Sequence, residues 1–133
     1  MKIYVASFFN TRDRILPYVA QLREMRHVIT SSWLSEAPRG DITKTETKLY
    51  TPAELQGFAV ADVLELHNSD VIILDTVDVT PRGGREVEWG AFVFGKVRFG
   101  YIVGPKRNVF HELATGYFDC WENCVNFFRG LRI

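Results

Sequence analysis

The run Asp70-Val71-Ile72-Ile73-Leu74-Asp75 decides the fold. Four consecutive apolar residues between two acids read as a strand buried on both faces, because a strand with one wet face alternates apolar and polar residues instead. Such a strand belongs in the middle of a parallel sheet covered by helices above and below. Outward from it the same kind of run recurs at Lys2–Ser7 (KIYVAS), His27–Trp33 (HVITSSW) and Val97–Val103 (VRFGYIV), with Gly116–Phe118 as a fifth, edge strand.

Helical patterns lie between these strands. Thr11 stands as an N-cap before Arg12–Met25, where Ile15, Leu16, Val19, Leu22 and Met25 keep an amphipathic spacing. Pro17 falls in the second turn and argues for a later start. Thr51-Pro52-Ala53-Glu54 has the form of a capping box with proline at the first helical position, and a helix is expected from there to about Asn68. Glu86–Gly95 follows the Gly83-Gly84 pair as a third helix, in which Trp89-Gly90-Ala91 places small residues where a helix can pack closely on a sheet. Asn108–Leu113 is a short helix or turn. Asp119 is placed to cap a last helix, Cys120–Arg129, with Gly130 as its stop signal. Leu34–Thr51 has no clear period, and a loop of that length in a small domain is usually functional or mobile. The alternation of strand and helix predicts one α/β domain over residues 1–133, without internal repeat or boundary.

The composition sets the partners. With 16 basic and 16 acidic residues the net charge is zero, and no basic stripe exists to track a polymeric nucleic acid. A small ligand remains. Phe, Tyr and Trp number 10, 5 and 3, a heavy load for 133 residues, so some of them are candidates for a pocket or a subunit interface rather than the core. Cys120 and Cys124 share a helix face and read as two reduced thiols, and no Cys/His cluster has zinc spacing. The opening MKIYVASFFN is too short and polar for a signal peptide, and no apolar run approaches membrane length, so the expected compartment is the cytoplasm.

In a parallel α/β sheet ligands bind beyond the C-terminal strand ends. That rule points to Ser7–Asn10, Trp33–Leu34, Asp75–Asp78 and Gly104–Asn108. Asp75 ends the central strand and is a candidate ligand contact, or else caps a loop or binds backbone N–H groups. Arg82-Gly83-Gly84-Arg85 leads into a helix whose first N–H groups form a natural anion site. Glu86 and Glu88 are about 200° apart around that helix, so only one of them can face the strand edge. A carboxylate near a helix N-terminus is held ionised, which suits a nucleophile better than a general acid. Asp62, by position alone, is a solvated helix residue.

Taken together these pieces resemble the nucleoside 2-deoxyribosyltransferase family, which includes the 2′-deoxynucleoside 5′-phosphate N-hydrolases. The resemblance rests on I-Y-V-A-S at 3–7, A-D-V-L-E-L-H-N-S-D-V-I-I-L-D at 61–75 and G-G-R-E-V-E-W-G-A at 83–91. G-K-V-R-F-G-Y-I-V-G at 95–104 and N-V-F-H at 108–111 also fit it. It implies a flavodoxin-like (Rossmann-like) three-layer sandwich and cleavage or transfer at an N-glycosidic bond. It implies Glu88 as the nucleophile on the anomeric carbon, with Asp75 and Asp62 as further catalytic acids. Substrate contacts are expected from Ser7, Phe8 and Phe9 and from Asp78, Arg82, Gly83, Gly84 and Arg85. Neither a metal nor an organic cofactor is implied. A homodimer or higher homo-oligomer is, for which Tyr117, Phe118, Trp121, Phe127 and Phe128 could form an interface or else pack within the chain. The first loop, Ser7-Phe8-Phe9-Asn10, differs from the aromatic-proline or glycine-rich form of many relatives, and Thr76–Arg82 is longer than theirs.

Two other readings compete. A non-catalytic nucleotide-binding or sensing module on the same fold would use Glu88 for binding alone. A flavin carrier would purify yellow. A response regulator needs an acid pair after the first strand, where this chain has Ser7-Phe8-Phe9-Asn10.

Overall fold

The computed structural model describes residues 1–35 and 50–131. Five parallel strands form one sheet: β1 (Lys2–Ala6), β2 (Val28–Ile29), β3 (Val71–Asp75), β4 (Phe99–Val103) and β5 (Gly116–Phe118), in the order β2-β1-β3-β4-β5. The DVIILD run lies at its centre. β3 pairs with β1 from Ile3↔Val71 to Ala6↔Leu74 and with β4 from Val71↔Phe99 to Asp75↔Val103, and all five of its residues are buried. This is the flavodoxin-like order, and its direction reverses between β1 and β3, where α/β sheets open a crevice for ligands.

Helices cover both faces. α1 (Arg12–Glu24) packs against α4 (Trp121–Gly130), and α2 (Pro52–His67) packs against α3 (Gly84–Val93). Thr51 caps α2 through the expected capping box. Gly100 lets α3 approach β4: a Cβ there would fall 2.6 Å from Phe92 Cγ and 2.8 Å from Trp89 Cη2. The small residue expected to provide that approach, Gly90, has no atom within 4 Å of where its Cβ would stand. The close contact is made by the sheet's glycine rather than the helix's.

Several boundaries differ from expectation. The second strand stops at Ile29 because Ser31 interrupts the ladder, its buried Oγ accepting the Val5 N–H at 3.0 Å. Ser32–Leu34 then form a 3₁₀ turn, and Trp33 Nε1 donates to Val5 O at 2.7 Å. α1 begins at Arg12 with Pro17 inside it, and its Thr11 cap makes no side-chain capping bond. α3 begins two residues early, at Gly84. The last helix is capped by Cys120, not Asp119, without a side-chain bond. The 34–51 loop lies outside the described residues from 36 to 49.

The aromatic C-terminal segment packs within the chain. Tyr101, Phe118, Phe127 and Phe128 form one ring cluster with centroid separations of 5.2 to 5.9 Å, and Trp121 stacks on Tyr18 at 5.7 Å. Phe128 and Trp121 are core residues, whereas Tyr117 and Phe127 remain over a third exposed. Cys120 and Cys124 form no disulfide, and burial raises the Cys124 thiol pKa. No helix among the described residues is long and apolar enough to cross a membrane.

Buried His27 gives the fold an acid limit. Its Nδ1 lies 3.2 Å from the Met1 nitrogen, a donor, and its Nε2 lies 3.4 Å from Phe128 O, an acceptor. The ring is therefore neutral with its hydrogen on Nε2, and burial lowers its pKa. A depressed folded pKa means the unfolded chain binds the proton first as pH falls. His27 thus contributes stability above about pH 6.5, which is lost as pH falls from there toward its folded pKa. The urea midpoint is expected to drop between pH 7 and 5, and His27→Gln to flatten part of that slope. An unchanged slope in the variant would contradict the assignment.

Candidate active site

A cavity of about 360 Å³ opens at the C-terminal edge, in the size range of small-molecule sites. Its first wall is Ser7, Phe8 and Phe9, which follow β1, with Trp33 from the 3₁₀ turn after β2. Its second is α2, through Leu55, Phe58, Ala59 and Asp62. Those four positions have the spacing i, i+3, i+4, i+7, the single stripe a helix turns toward a neighbour. The third wall is Thr80 and Arg82, with Gly84, Arg85 and Glu88 from the start of α3.

The walls differ in chemistry. Phe9 and Trp33 meet at 5.8 Å between centroids, the Arg12 guanidinium lies over Phe9 at 5.1 Å, and that of Arg82 lies over Phe8 at 5.4 Å. The Trp33 indole N–H is spent on Val5 O, and Ser7 Oγ shares a hydrogen bond with Thr11 Oγ1 at 2.7 Å. This aromatic wall therefore offers ring faces rather than hydrogen-bonding groups. The acids lie on the helices: Asp62 from α2 and Glu88 from α3, with Glu88 Oε2 sealed from solvent.

The two glutamates of α3 separate as helix geometry requires. Glu88 turns into the cavity, while Glu86 bonds His111 Nε2 through both oxygens, at 2.8 and 3.0 Å. His111 is fully buried, and the Arg107 N–H donates to its Nδ1 at 2.9 Å, so the hydrogen sits on Nε2 and points at Glu86. This contact helps anchor α3 from behind the site, and Trp89 adds a bond from Nε1 to Phe110 O at 3.0 Å.

Tyr4 is a site neighbour that the sequence did not single out. It is fully buried on β1, and its hydroxyl is sealed from solvent next to the Glu88 carboxylate, with no well-formed hydrogen bond among the described residues. Burial raises its pKa far above the ordinary tyrosine value, and the carboxylates of Glu88, Asp62 and Glu65 raise it further. The phenol stays protonated, with Glu88 as its strongest charged neighbour. A lone tyrosine within the apolar run I-Y-V-A was the available signal, since a buried hydroxyl needs a polar neighbour. Leu55, Phe58 and Ala59 were missed too, although their stripe with Asp62 is legible once the helix is assigned.

Three expected contacts, Asp75, Asp78 and Gly83, do not line the cavity. Asp75 is fully buried, and its carboxylate accepts from Arg14 at 3.1 and 3.2 Å, from the Val77 N–H at 3.0 Å and from Trp121 Nε1 at 2.7 Å. Asp78 pairs with Arg14 at 3.1 Å. Burial opposes the Arg14 charge, but these bonds outweigh it and raise its pKa. The Asp75–Asp78 loop is also held by its carbonyls. Arg107 donates to Thr76 O and Val77 O at 2.9 to 3.1 Å, and Arg85 Nη1 donates to Asp75 O at 3.1 Å and Asp78 O at 2.9 Å. Gly83 is the α3 N-cap, and a Cβ at Gly83 or Gly84 would meet no atom within 4 Å. Packing does not demand these glycines; they leave the helix N-terminus uncovered. Among the described residues, no group of three or more His, Cys, Asp or Glu side chains has a metal-binding arrangement.

No family model matches the chain, and no curated protein matches it. Among solved structures, it is similar to the 2-deoxyribosyltransferase from the psychrotolerant bacterium Bacillus psychrosaccharolyticus. The TM-score is 0.69 at 20% identity, over 95% of this chain and 91% of that one. It is also similar to a conserved protein from Enterococcus faecalis V583, with a TM-score of 0.69 at 13% identity over 97% of both chains. At such identities the likeness shows the fold alone, and that fold is the flavodoxin-like sandwich described above.

Proposed function

We propose that this chain belongs to the nucleoside 2-deoxyribosyltransferase family and cleaves or transfers at the N-glycosidic bond of a (deoxy)nucleoside or its 5′-monophosphate. The observation that carries the reading is the Glu88 carboxylate, one oxygen sealed from solvent, lining a small cavity that also has an aromatic wall and a second acid, Asp62. Breaking the bond between a sugar and a base builds positive charge at C1′. A carboxylate beside that carbon stabilises the charge and captures it. Glu88 Oε attacks C1′, and the C1′–N bond breaks with its electron pair going to the base, which gains a proton. Water then opens the glycosyl ester in hydrolysis; a second base does so in transfer. The step as written requires no metal or organic cofactor.

The other side chains take roles from their positions. Phe8, Phe9, Trp33 and Phe58 bury and stack the base. Asp62 holds a sugar hydroxyl or assists proton transfer. Tyr4, protonated throughout, helps keep the Glu88 carboxylate in place. Asp75 is reassigned from chemistry to support: it holds the loop whose carbonyls hold Arg85. A homo-oligomer in the cytoplasm belongs to the same reading. Val60, Val63 and Leu64 of α2 are exposed at the spacing i, i+3, i+4, which suits a helix face meeting a second copy.

The test is incubation of the protein with a panel of deoxynucleosides and their monophosphates, with and without an acceptor base, followed by chromatography for free base or exchanged nucleoside. Release or exchange supports an enzyme. Binding of the same compounds without either product would favour the non-catalytic module.

A further inference from the structure

Two features of the sequence play no part in the glycosidic chemistry: the long segment 76–82 after the central strand, and the Gly83-Gly84 pair that packing does not demand. The first half of that segment is strapped down. Each carbonyl from Asp75 to Asp78 accepts from an arginine: Asp75 O and Asp78 O from Arg85, Thr76 O and Val77 O from Arg107. Arg14 holds the Asp75 and Asp78 carboxylates, and the Thr76 hydroxyl donates to Pro105 O at 2.6 Å. This stretch cannot swing without breaking several bonds at once.

The second half is built differently. Among the described residues, Val79, Thr80 and Pro81 make no hydrogen bond beyond the segment itself; the Thr80 hydroxyl accepts the Arg82 N–H at 3.2 Å. Val79 is 77% exposed, and Pro81 is exposed too. So few bonds and so little apolar burial mark the part of a fold that opens most easily. Gly83 and Gly84 follow, where the backbone has the most freedom to turn. Yet Thr80 and Arg82 line the cavity, and the Arg82 guanidinium lies over the Phe8 ring, 5.4 Å from its centroid. That contact joins the third wall of the cavity to the first. The segment thus has a fixed end at Asp78, a free end at the glycines, and a cation–π contact between them and the opposite loop.

We propose that Val79–Arg82 is a flap on the cavity, pivoting between the strapped Asp78 and the Gly83-Gly84 pair, with the Arg82 guanidinium on the Phe8 ring as its latch. Ligands enter and leave when the latch is released. Such a flap governs passage into the cavity whatever chemistry follows, so it stands apart from the glycosidic reading of Glu88.

The experiment follows association and dissociation of deoxynucleosides and their monophosphates by stopped-flow tryptophan fluorescence, on the full chain carrying Glu88→Gln. A latch closed in both the free and the bound protein slows entry and exit alike. Arg82→Gln should therefore raise both rate constants together, by about three- to tenfold, the worth of one cation–π contact, and leave Kd within about twofold. Arg82→Lys keeps a cation and should fall between. Gly83→Ala with Gly84→Ala meets no clash and restricts the free end, so it should slow both rates by about two- to fivefold. Faster dissociation alone would make Arg82 an ordinary ligand contact and overturn the latch. Unchanged rates in every variant would overturn the flap. If none of these compounds binds, the glycosidic reading falls and acrylamide quenching of the free protein decides the flap. Trp33 lines the cavity and is 5% exposed, whereas Trp89 and Trp121 are buried and do not line it. Arg82→Gln should then increase quenching, and adding Trp33→Phe should remove the increase. Quenching equal to the parent's would overturn the proposal.

Discussion

Glu88→Gln is expected to lower base release by at least about 10³-fold while the protein stays folded. The substitution keeps the shape of the side chain and removes its charge, so the amide can neither stabilise a cationic C1′ nor capture it. Binding of the substrate should survive, because the aromatic wall and Arg85 are untouched. The informative control lies two residues away. Glu86 is the same residue type on the same helix, but it bonds His111 and faces away from the cavity. Glu86→Gln should therefore reduce stability and leave base release within about tenfold, since it touches no reacting group. If the two variants lost activity equally, the loss would belong to the helix and not to the Glu88 carboxylate.

The second large effect is on stability. Asp75→Ala removes an acceptor that serves Arg14, the Val77 N–H and the Trp121 indole at once. Arg14 is 38% exposed in its side chain and can turn to water, but Trp121 is 3% exposed, and its N–H would lose its acceptor in the interior. The cost is expected to be on the order of 3 kcal/mol. It would show as a lower urea midpoint with an unchanged denaturant slope. Asp62→Asn should do the opposite, sparing stability and reducing base release, because Asp62 lines the cavity. Were Asp75→Ala as stable as the parent and inactive, Asp75 would have to be returned to the chemistry.

The sheet was legible because each strand carries its own local signal. Four apolar residues in a row cannot be half-exposed, and DVIILD accordingly lies at the centre of the sheet. Less legible was what depends on distant partners. His27–Trp33 reads as a seven-residue strand, but a single hydroxyl, Ser31 Oγ, takes an N–H that the ladder would have used. Asp75 reads equally as a site acid or as a loop cap, because it ends a buried strand at the ligand edge. Its actual partners, Arg14 and Trp121, lie 61 and 46 residues away in the chain, and nothing local announces them. Asp62 is the reverse case: an unremarkable helix acid by position, it lines the cavity because Leu55, Phe58 and Ala59 set the face on which it stands. The separation of Glu86 from Glu88 needed only the 3.6-residue turn and was legible from the start.

The glycosidic chemistry comes down to a distance between one carboxylate position and one carbon. A crystal structure of the Glu88→Gln variant with a deoxynucleoside 5′-monophosphate would measure it directly. The side chain at position 88 is expected within about 3.5 Å of C1′, on the face opposite the base, as a near-attack arrangement requires. A ligand whose C1′ lies against another wall, or a side chain at 88 turned away from the sugar, would contradict it.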